Sequence, residues 1–271
     1  MSEKAILNTP SLPPFPGRVG GVLFDIDETL VDLVQAMKDA MVFAGTHLLP
    51  DYTPAQWDNF AALYMADPND FYDRYVMGEF TFGQQRGLRA RAVFEQLGFT
   101  VFDAAAEQRW ITDFEEAQPR YIRAFDDVAP LLDALDAAGI PYGAVSNNVH
   151  DYQRAKLDHA GLQRIGVLVG IDTVKAAKPR PEIFLEGCRQ LGTAPSETLY
   201  VGDNFLVDGV GSVKAGLHGV WLNRENKAIP AVVAEDTACA QAVRIISSLT
   251  QMGELAGLSN LPQACDARLS R

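Results

Sequence analysis

Acidic residues, one lysine and small polar residues occur together at four places in the sequence, each close to a short apolar segment. They are Asp25, Asp27, Thr29, Ser146, Asn147, Lys178, Asp203 and Asp208. Carboxylates that converge repel one another unless a cation lies among them. Hard oxygen ligands with no neighbouring histidine or cysteine favour Mg²⁺ over zinc. A metal ion, a lysine and a carboxylate together suit a phosphoryl group, because the positive charges neutralise its oxygens while a carboxylate attacks phosphorus.

Short apolar segments predict the strands that would carry these residues. The segments are 21–24, 140–145, 167–171, 198–201 and 219–222. Helical patterns separate them, including one from Val128 to Leu135 and one that begins at Pro181 and ends at Gly192. This alternation predicts an α/β fold with a doubly wound parallel sheet. Because parallel strands end at one edge of a sheet, we expect the polar residues to converge there. Segment 242–249 fits either a helix or a last strand.

A long interval without strand candidates follows Asp32. Val34, Met37, Met41 and Ala44 predict one helical stripe. Two capping-box patterns follow, each with an apolar helical stripe behind it. A last aromatic stripe predicts a helix that stops before Pro119. These candidates are Thr53 with Gln56, Thr81 with Gln84, and the apolar sets Trp57, Phe60, Ala61, Tyr64; Ala90, Val93, Phe94, Leu97; and Trp110, Phe114, Ala117. The interval therefore predicts an inserted all-helical domain of about four helices with its own core.

These patterns predict a core interrupted by one domain and flanked by two tails. The expected boundaries are an N-terminal flexible tail at 1–17, an α/β core at 18–33 and 121–250, a helical cap at 34–120, and a C-terminal tail at 251–271.

Composition narrows the classes of partner. The chain has 271 residues and a formal net charge of −12, which repels nucleic acid and anionic membranes overall. Its three cysteines are far apart, which argues against a disulfide framework or a thiolate zinc site. No apolar run has the length of a membrane span, and the proline-rich start does not read as a secretory signal. We expect a cytoplasmic protein, either a monomer or a homodimer, that binds neither nucleic acid nor membrane.

The polar clusters resemble the four motifs of the haloacid dehalogenase-like (HAD) hydrolase superfamily. The first motif is similar to Asp25-Ile26-Asp27-Glu28-Thr29 and the second to Ser146; the third and fourth are similar to Lys178 and to Gly202-Asp203-Asn204 with Asp208. Order and spacing match over about 200 residues, and the first and fourth motifs are specific. The helical insertion after the first motif is similar to the family's cap of the first type. The resemblance implies a Rossmann-like core and a phosphatase.

The resemblance also implies roles for the charged residues. Asp25 would be the nucleophile that forms an aspartyl-phosphate. Asp27 would donate a proton to the leaving oxygen and then activate water as a base. Lys178 would steady Asp25 and the phosphoryl oxygens. Asp25, the backbone carbonyl of Asp27, and Asp203 would hold Mg²⁺, with Asp208 as a further ligand or as the partner of one.

The small polar residues would complete the site. By the same resemblance, Thr29, Ser146 and Asn147 would position the chain and bind phosphate. Glu28 departs from the family pattern, in which many members have a small or neutral residue. An additional carboxylate beside the metal would alter the loop geometry or the solvent contacts there, and it leaves the main assignment intact.

Several other activities are compatible with parts of the pattern. A dehalogenase of the family lacks the second aspartate, so Asp27 argues against that reading. A phosphonatase would need a cap lysine, and segment 34–119 contains only Lys38. A phosphomutase would retain the phosphoryl group on the enzyme. A receiver-like or silent phosphate-binding module would have no cap or would lack a key carboxylate. We therefore expect a phosphatase whose substrate is a small phosphorylated metabolite, such as phosphoglycolate, a sugar phosphate or a nucleoside monophosphate.

Four arginines of the insertion have two possible roles. They are Arg74, Arg86, Arg89 and Arg91. Each could bind an anionic substrate, and ordinary charge on a helix surface explains each equally well.

Overall fold

The computed structural model describes residues 18–99, 103–232 and 234–258. The predicted N-terminal tail at 1–17 and the part of the predicted C-terminal tail beyond residue 258 lie outside these ranges. Within the described residues the chain divides into two compact units. The first unit contains the described chain up to Val31 and from Ala124 onward, and the second is Asp32–Arg123.

A six-stranded parallel sheet forms the centre of the first unit. Its strands are β1 (Gly21–Phe24), β2 (Tyr142–Val145), β3 (Val167–Val169), β4 (Thr198–Gly202), β5 (His218–Leu222) and β6 (Arg244–Ile246). Their order is β3-β2-β1-β4-β5-β6. In the register, Leu23 of β1 lies beside Gly143 of β2 and Tyr200 of β4. This arrangement confirms the predicted doubly wound parallel fold, and it resolves segment 242–249 in favour of a last strand.

Seven α-helices accompany the sheet in the described part of the first unit. They are α6 (Val128–Ala138), α7 (His150–His159), α8 (Ile171–Val174), α9 (Pro181–Leu191), α10 (Gly211–Lys214), α11 (Thr237–Ala242) and α12 (Met252–Ala256). Helix α9 begins at Pro181, whose missing N–H costs nothing there, and ends at Gly192 with φ of 72°. Its buried Ile183 and Phe184 pack against Leu23 and Tyr200 of the central strands. The sheet core thus lies directly beneath the carboxyl ends of β1 and β4.

The end of the described chain differs from the predicted tail. Residues 252–256 form helix α12, with the side chains of Met252 and Leu255 buried. Polar residues around these two apolar positions weakened the sequence pattern. Burial of Met252 and Leu255 stabilises a helix that the local sequence does not indicate.

The second unit consists of five helices in its described residues. They are α1 (Leu33–Gly45), α2 (Pro54–Ala66), α3 (Phe71–Val76), α4 (Phe82–Gln96) and α5 (Ala104–Tyr121). The unit begins two residues before and ends three residues after the predicted 34–120. Both predicted capping boxes, at Thr53 and Thr81, are present. The aromatic stripes pack together in one core that includes Trp57, Phe60, Phe94, Trp110 and Phe114.

Three details of this unit differ from the sequence prediction. Val34 is 43% exposed, and the buried face of α1 consists mainly of the small Ala36 and Ala40, with Met41 and Ala44, which lets α1 pack closely on α5. Helix α5 continues through Pro119 to Tyr121 instead of stopping before the proline. Helix α3 was not predicted; left-handed residues Asp67 and Asp70 precede it and interrupt the pattern. No helix in the described ranges is long and apolar enough to cross a membrane.

Candidate active site

The carboxyl ends of the central strands bring three predicted site segments to one edge of the sheet. Asp25 follows β1, and its backbone N–H donates to the carbonyl of Val201 in β4 at 2.8 Å. Asp203 follows β4 directly. Ser146 follows β2, and its backbone N–H donates to Val169 of β3 at 2.9 Å. The neighbouring parallel strands therefore place these residues as the fold requires.

The Lys178 ammonium is the centre of the buried part of this edge. Its Nζ lies 2.5 Å from Oδ1 of Asp25 and 2.8 Å from Oδ1 of Asp208. It also donates to the hydroxyl of Tyr200 at 3.0 Å, and that hydroxyl in turn donates to the carbonyl of Val145. All three donor positions of the ammonium are thus directed at oxygen atoms. This arrangement fixes Lys178 beside Asp25.

Three aspartates form a group that could hold a metal ion. Asp25, Asp203 and Asp208 each offer one carboxylate oxygen, and these oxygens lie within 4.8 Å of one another. Carboxylate oxygens are the ligands that Mg²⁺ and Ca²⁺ prefer. Three carboxylates beside one ammonium leave an excess of negative charge that a divalent cation would neutralise. The donor set therefore fits a hard divalent cation. The carboxylate of Asp27 is not part of this group.

Burial and crowding raise the pKa values of two members of the group. The pKa of Asp25 is raised to about 8, first by burial and then by repulsion from Asp208, Asp27 and Asp203, although Lys178 opposes the shift. The pKa of Asp203 is raised to about 6, mainly by burial and by Asp208. Burial lowers the pKa of Lys178, but the carboxylates of Asp208 and Asp25 outweigh it and raise that pKa overall. Without a cation, the group therefore retains protons that bound metal would displace.

A close backbone approach positions Asp208. A Cβ atom at Gly202 would lie 2.3 Å from Cγ of Asp208, so the loop needs glycine there. Oδ2 of Asp208 accepts the backbone N–H of Asn204 at 3.0 Å. The Asn204 side chain caps the following helical turn, where it accepts from Leu206 and Val207. Asn204 is thus the capping residue, and Asp208 directs its other oxygen, Oδ1, at Lys178.

Asp27 has a separate set of partners on helix α7. Its Oδ1 lies 2.5 Å from Nζ of Lys156, and its Oδ2 accepts from Nε2 of Gln153 at 3.0 Å. The same Nε2 donates to Oγ of Ser146 at 2.7 Å. Asp27 is thereby linked to Ser146 through Gln153.

The two remaining predicted phosphate-binding residues make mainly internal contacts. The Asn147 side chain bonds both backbone groups of Lys178, accepting from N–H at 2.6 Å and donating to the carbonyl at 2.9 Å. Asn147 therefore holds the loop that carries Lys178. The Thr29 hydroxyl is buried without a hydrogen-bond partner among the described residues. Arg224 fixes its backbone by donating to the Thr29 carbonyl at 3.1 Å. Phosphate binding by Thr29 and Asn147 stays a prediction.

Three polar side chains of this site were missed in the sequence. Tyr200 lies inside a strand that reads as purely apolar, so its hydroxyl gave no separate signal. Gln153 and Lys156 lie on α7 with Leu157, at positions i, i+3 and i+4. That spacing puts both polar residues on the same helix face as the apolar Leu157, which is the face expected to be buried. This was the signal in the sequence that Gln153 and Lys156 point into the protein.

The second unit buries two of the four arginines singled out in the sequence. The Arg86 guanidinium lies 4.1 Å from the ring centre of Phe82 and 4.9 Å from that of Phe114, and it contacts Glu115. Arg89 lies 4.1 Å from the ring centre of Tyr64 and donates to the Tyr64 carbonyl through Nε and Nη2. Tyr64 belongs to the last turn of α2, where carbonyls lack partners within the helix. Both arginines therefore stabilise the helical unit.

Replacement of Arg89 should destabilise the protein. Arg89→Met removes two charge-assisted hydrogen bonds to a buried carbonyl, which is expected to cost about 2–3 kcal/mol in the free energy of unfolding. Urea denaturation measures this change. The matched control is Arg109→Met, which removes an exposed pair with Asp113 and should cost less than about 0.5 kcal/mol. Equal midpoints for the two variants would show that Arg89 has no such role.

Comparison with known proteins agrees with this geometry. Residues 19–216 match the model of a family described as haloacid dehalogenase-like hydrolase. The chain belongs to the haloacid dehalogenase-like hydrolases. The predicted family is therefore confirmed. The HAD match covers strands β1–β4 and the whole helical insertion, so it includes every residue of the acidic group described above.

Curated relatives of this HAD hydrolase include named phosphatases. Hexitol phosphatase A of Escherichia coli K12 is 30% identical over 207 residues, which cover 76% of this chain and 84% of the relative. Phosphoglycolate phosphatase of Xylella fastidiosa strain 9a5c is 28% identical over 246 residues, covering 87% and 93%. Among solved structures, the HAD-hydrolase YfnB from Bacillus subtilis bound to magnesium has a TM-score of 0.64 at 21% identity and covers 89% of this chain and 100% of its own. That last likeness shows the shared fold.

Proposed function

We propose that this protein is a Mg²⁺-dependent phosphatase that hydrolyses a small phosphorylated metabolite through an aspartyl-phosphate on Asp25. One observation carries the proposal. The Lys178 ammonium lies between Asp25 and Asp208 at the sheet edge, in a group of three carboxylates with Asp203. Such a group supplies a nucleophile, a fixed positive charge and ligands for a divalent cation at one place.

The first half of the proposed reaction forms a bond from Asp25 to phosphorus. A carboxylate oxygen of Asp25 attacks phosphorus, and the ester bond to the leaving oxygen breaks. Asp27 gives its proton to that leaving oxygen. Lys178 holds Asp25 in place and offsets the charge of the phosphoryl oxygens. Bound Mg²⁺, held by Asp25, Asp203, Asp208 and the backbone carbonyl of Asp27, would supply the remaining positive charge.

The second half releases phosphate. Asp27, now a carboxylate, takes a proton from a water molecule that attacks phosphorus. The bond between phosphorus and the Asp25 oxygen breaks, which restores the Asp25 carboxylate and frees inorganic phosphate. Ser146 would donate its hydroxyl proton to a phosphoryl oxygen. The support is that its Oγ accepts from Gln153, which leaves the hydroxyl hydrogen for another acceptor.

The substrate class is proposed from the relatives. The hexitol phosphatase and phosphoglycolate phosphatase named above carry out hydrolysis of small phosphate esters, as their names state. Phosphoglycolate, a sugar phosphate and a nucleoside monophosphate are the candidates. The phosphonatase alternative gains no support, since Lys38, the lysine it would need, forms an ion pair with Asp58.

The proposed location is the cytoplasm. Its support is that Cys188 and Cys239, the two cysteines within the described residues, are both free thiols. Cell fractionation tests it, and recovery of the protein outside the cytoplasmic fraction would contradict it.

Hydrolysis assays test the proposed activity. The purified full chain, treated with a chelator, is assayed on p-nitrophenyl phosphate and on a panel of the candidate esters, with and without added Mg²⁺. The proposal predicts hydrolysis that requires the cation and a higher kcat/KM for one of the metabolites than for p-nitrophenyl phosphate. Phosphate release that is unchanged after chelation, or absent for every ester, would overturn it.

Metal binding should depend on pH with a defined sign. The pKa of Asp25 is raised from 3.8 to about 8 in the folded protein. Between these two pH values the metal-free folded protein therefore holds a proton on Asp25 that the unfolded chain has lost. The stability that this proton contributes is fully present below pH 3.8 and is lost as the pH rises through about 8. Loss of the proton leaves a charged Asp25 carboxylate, which increases the repulsion among the three aspartates. Mg²⁺ must displace the proton, so its apparent affinity should rise by about tenfold or more from pH 6 to pH 8.

Calorimetric titration at the two pH values measures the affinity. Thermal unfolding gives an independent readout, since Mg²⁺ should raise Tm more at pH 8 than at pH 6. The control Asp126→Asn removes an exposed carboxylate of the same unit and should leave the pH dependence unchanged. Affinity that is constant over this range would contradict the raised pKa of Asp25.

A further inference from the structure

We propose that Gln153 and Lys156 are positioning residues that hold the Asp27 carboxyl in the orientation its proton transfers require. The inference rests on the proposed function, because it assigns these residues to the acid–base half of that reaction. It extends the site to helix α7, which the four sequence motifs do not reach.

Both oxygens of Asp27 are held from the same helix. Lys156 Nζ lies 2.5 Å from Oδ1, and Gln153 Nε2 lies 3.0 Å from Oδ2. Gln153 and Lys156 are three positions apart on α7, so they share one helix face. Two donors on two oxygens restrict rotation of the carboxyl group about its terminal bond, which one donor would not do.

The burial of these partners shows that the contact is not an incidental surface pair. Lys156 is 4% exposed, and Gln153 is fully buried, whereas the Asp27 side chain is 31% exposed. Burial of an ammonium group costs free energy that a nearby carboxylate must offset. Asp27 thus keeps one side open while its partners are held within the protein.

The Gln153 amide has only one orientation that fits. Its Nε2 lies within hydrogen-bond distance of both Asp27 Oδ2 and Ser146 Oγ. The two amide hydrogens can serve both acceptors, whereas the reversed amide would direct an oxygen at the carboxylate. Gln153 therefore ties Asp27 to Ser146, which follows the neighbouring strand.

The two aspartates of the first motif have different cationic partners. Lys178 contacts Asp25, and Lys156 contacts Asp27. When Asp27 gives its proton to the leaving oxygen it becomes a carboxylate, and Lys156 and Gln153 hold that carboxylate where it formed. The Asp27 oxygen that lost the proton is then available to take a proton from water. Neither partner gains or loses a proton in these steps.

The dependence of the rate on the leaving group tests this role. A p-nitrophenolate departs without a proton, whereas an alkoxide needs one from Asp27. Because kcat/KM reports the steps through the first irreversible one, it isolates departure of the leaving group from hydrolysis of the phosphoenzyme. Lys156→Met should lower kcat/KM for an alkyl phosphate by about 10²-fold and change it by less than about threefold for p-nitrophenyl phosphate. Lys156→Arg should restore part of the loss.

Controls separate this inference from the proposed function. Lys214→Met removes an exposed lysine of the same unit and should change neither value. Gln153→Met is the second variant; it should show the same selective loss, and it decides the question if Lys156→Met does not fold. Equal losses on both substrates in a folded variant would mean a merely structural role and would overturn the inference. A wild-type protein without phosphatase activity would instead overturn the proposed function.

Discussion

Replacement of Asp25 by asparagine should abolish phosphatase activity, with a loss of about 10⁴-fold or more in kcat. The amide cannot act as the nucleophile. Among the described residues, the other carboxylate that contacts Lys178 is that of Asp208, and it cannot take over because the Asn204 backbone N–H holds its second oxygen. The fold should be preserved. The raised pKa of Asp25 shows that the metal-free protein favours a neutral side chain there, and asparagine supplies one. Thermal unfolding and steady-state assays measure the two effects.

The matched control for Asp25→Asn is Asp126→Asn, an exposed position of the same unit. It should retain wild-type kcat and Tm. Residual turnover above about one-hundredth of wild type in Asp25→Asn would exclude covalent catalysis by that residue. A large fall in Tm in the metal-free variant would instead contradict the inference that burial favours the neutral form of Asp25.

Asp27→Asn should separate the two halves of the reaction. The variant keeps the nucleophile, so it should still be phosphorylated by p-nitrophenyl phosphate, whose leaving group needs no proton. It lacks the base for the second half, so kcat should fall by about 10²- to 10⁴-fold. A rapid-quench experiment should therefore show a burst of p-nitrophenolate that approaches one equivalent per enzyme, followed by slow turnover.

Two results would contradict that assignment. Wild-type kcat in Asp27→Asn would remove Asp27 from proton transfer. Loss of the burst, with Mg²⁺ affinity intact, would show that Asp27 is needed to form the phosphoenzyme even when the leaving group requires no acid. The variant also leaves the buried Lys156 without its anionic partner, so a reduced Tm is expected in addition.

The predictable part of the fold came from local patterns that agree with their tertiary setting. Pro181 and Gly192 bound α9 because their backbone preferences suit a helix start and a helix end. The capping boxes at Thr53 and Thr81 succeeded for the same reason: their hydrogen bonds join residues three positions apart. Where packing between distant elements decides the outcome, as in the alanine-rich face of α1, the hydrophobic pattern alone was misleading.

The site was predictable where the fold converts sequence order into position. Asp25 and Asp203 end neighbouring parallel strands, so their convergence follows from topology. The partners of Asp27 could not be found in that way. Gln153 and Lys156 resemble ordinary polar residues of a helix, and only the three-dimensional position of α7 directs them at Asp27. Likewise, Arg86 and Arg89 are buried by rings contributed from several helices, which no local window reveals.

Chemical trapping of the phosphoenzyme tests the central claim most directly. Asp27→Asn is incubated with p-nitrophenyl phosphate and Mg²⁺, quenched in acid and reduced with borohydride, which converts an aspartyl-phosphate to homoserine. Peptide mass spectrometry then locates the reduced residue. The proposed mechanism predicts homoserine in place of Asp25, and none when substrate is omitted. Homoserine in place of another aspartate, or unmodified Asp25 in a preparation that has released a full equivalent of p-nitrophenolate, would contradict it.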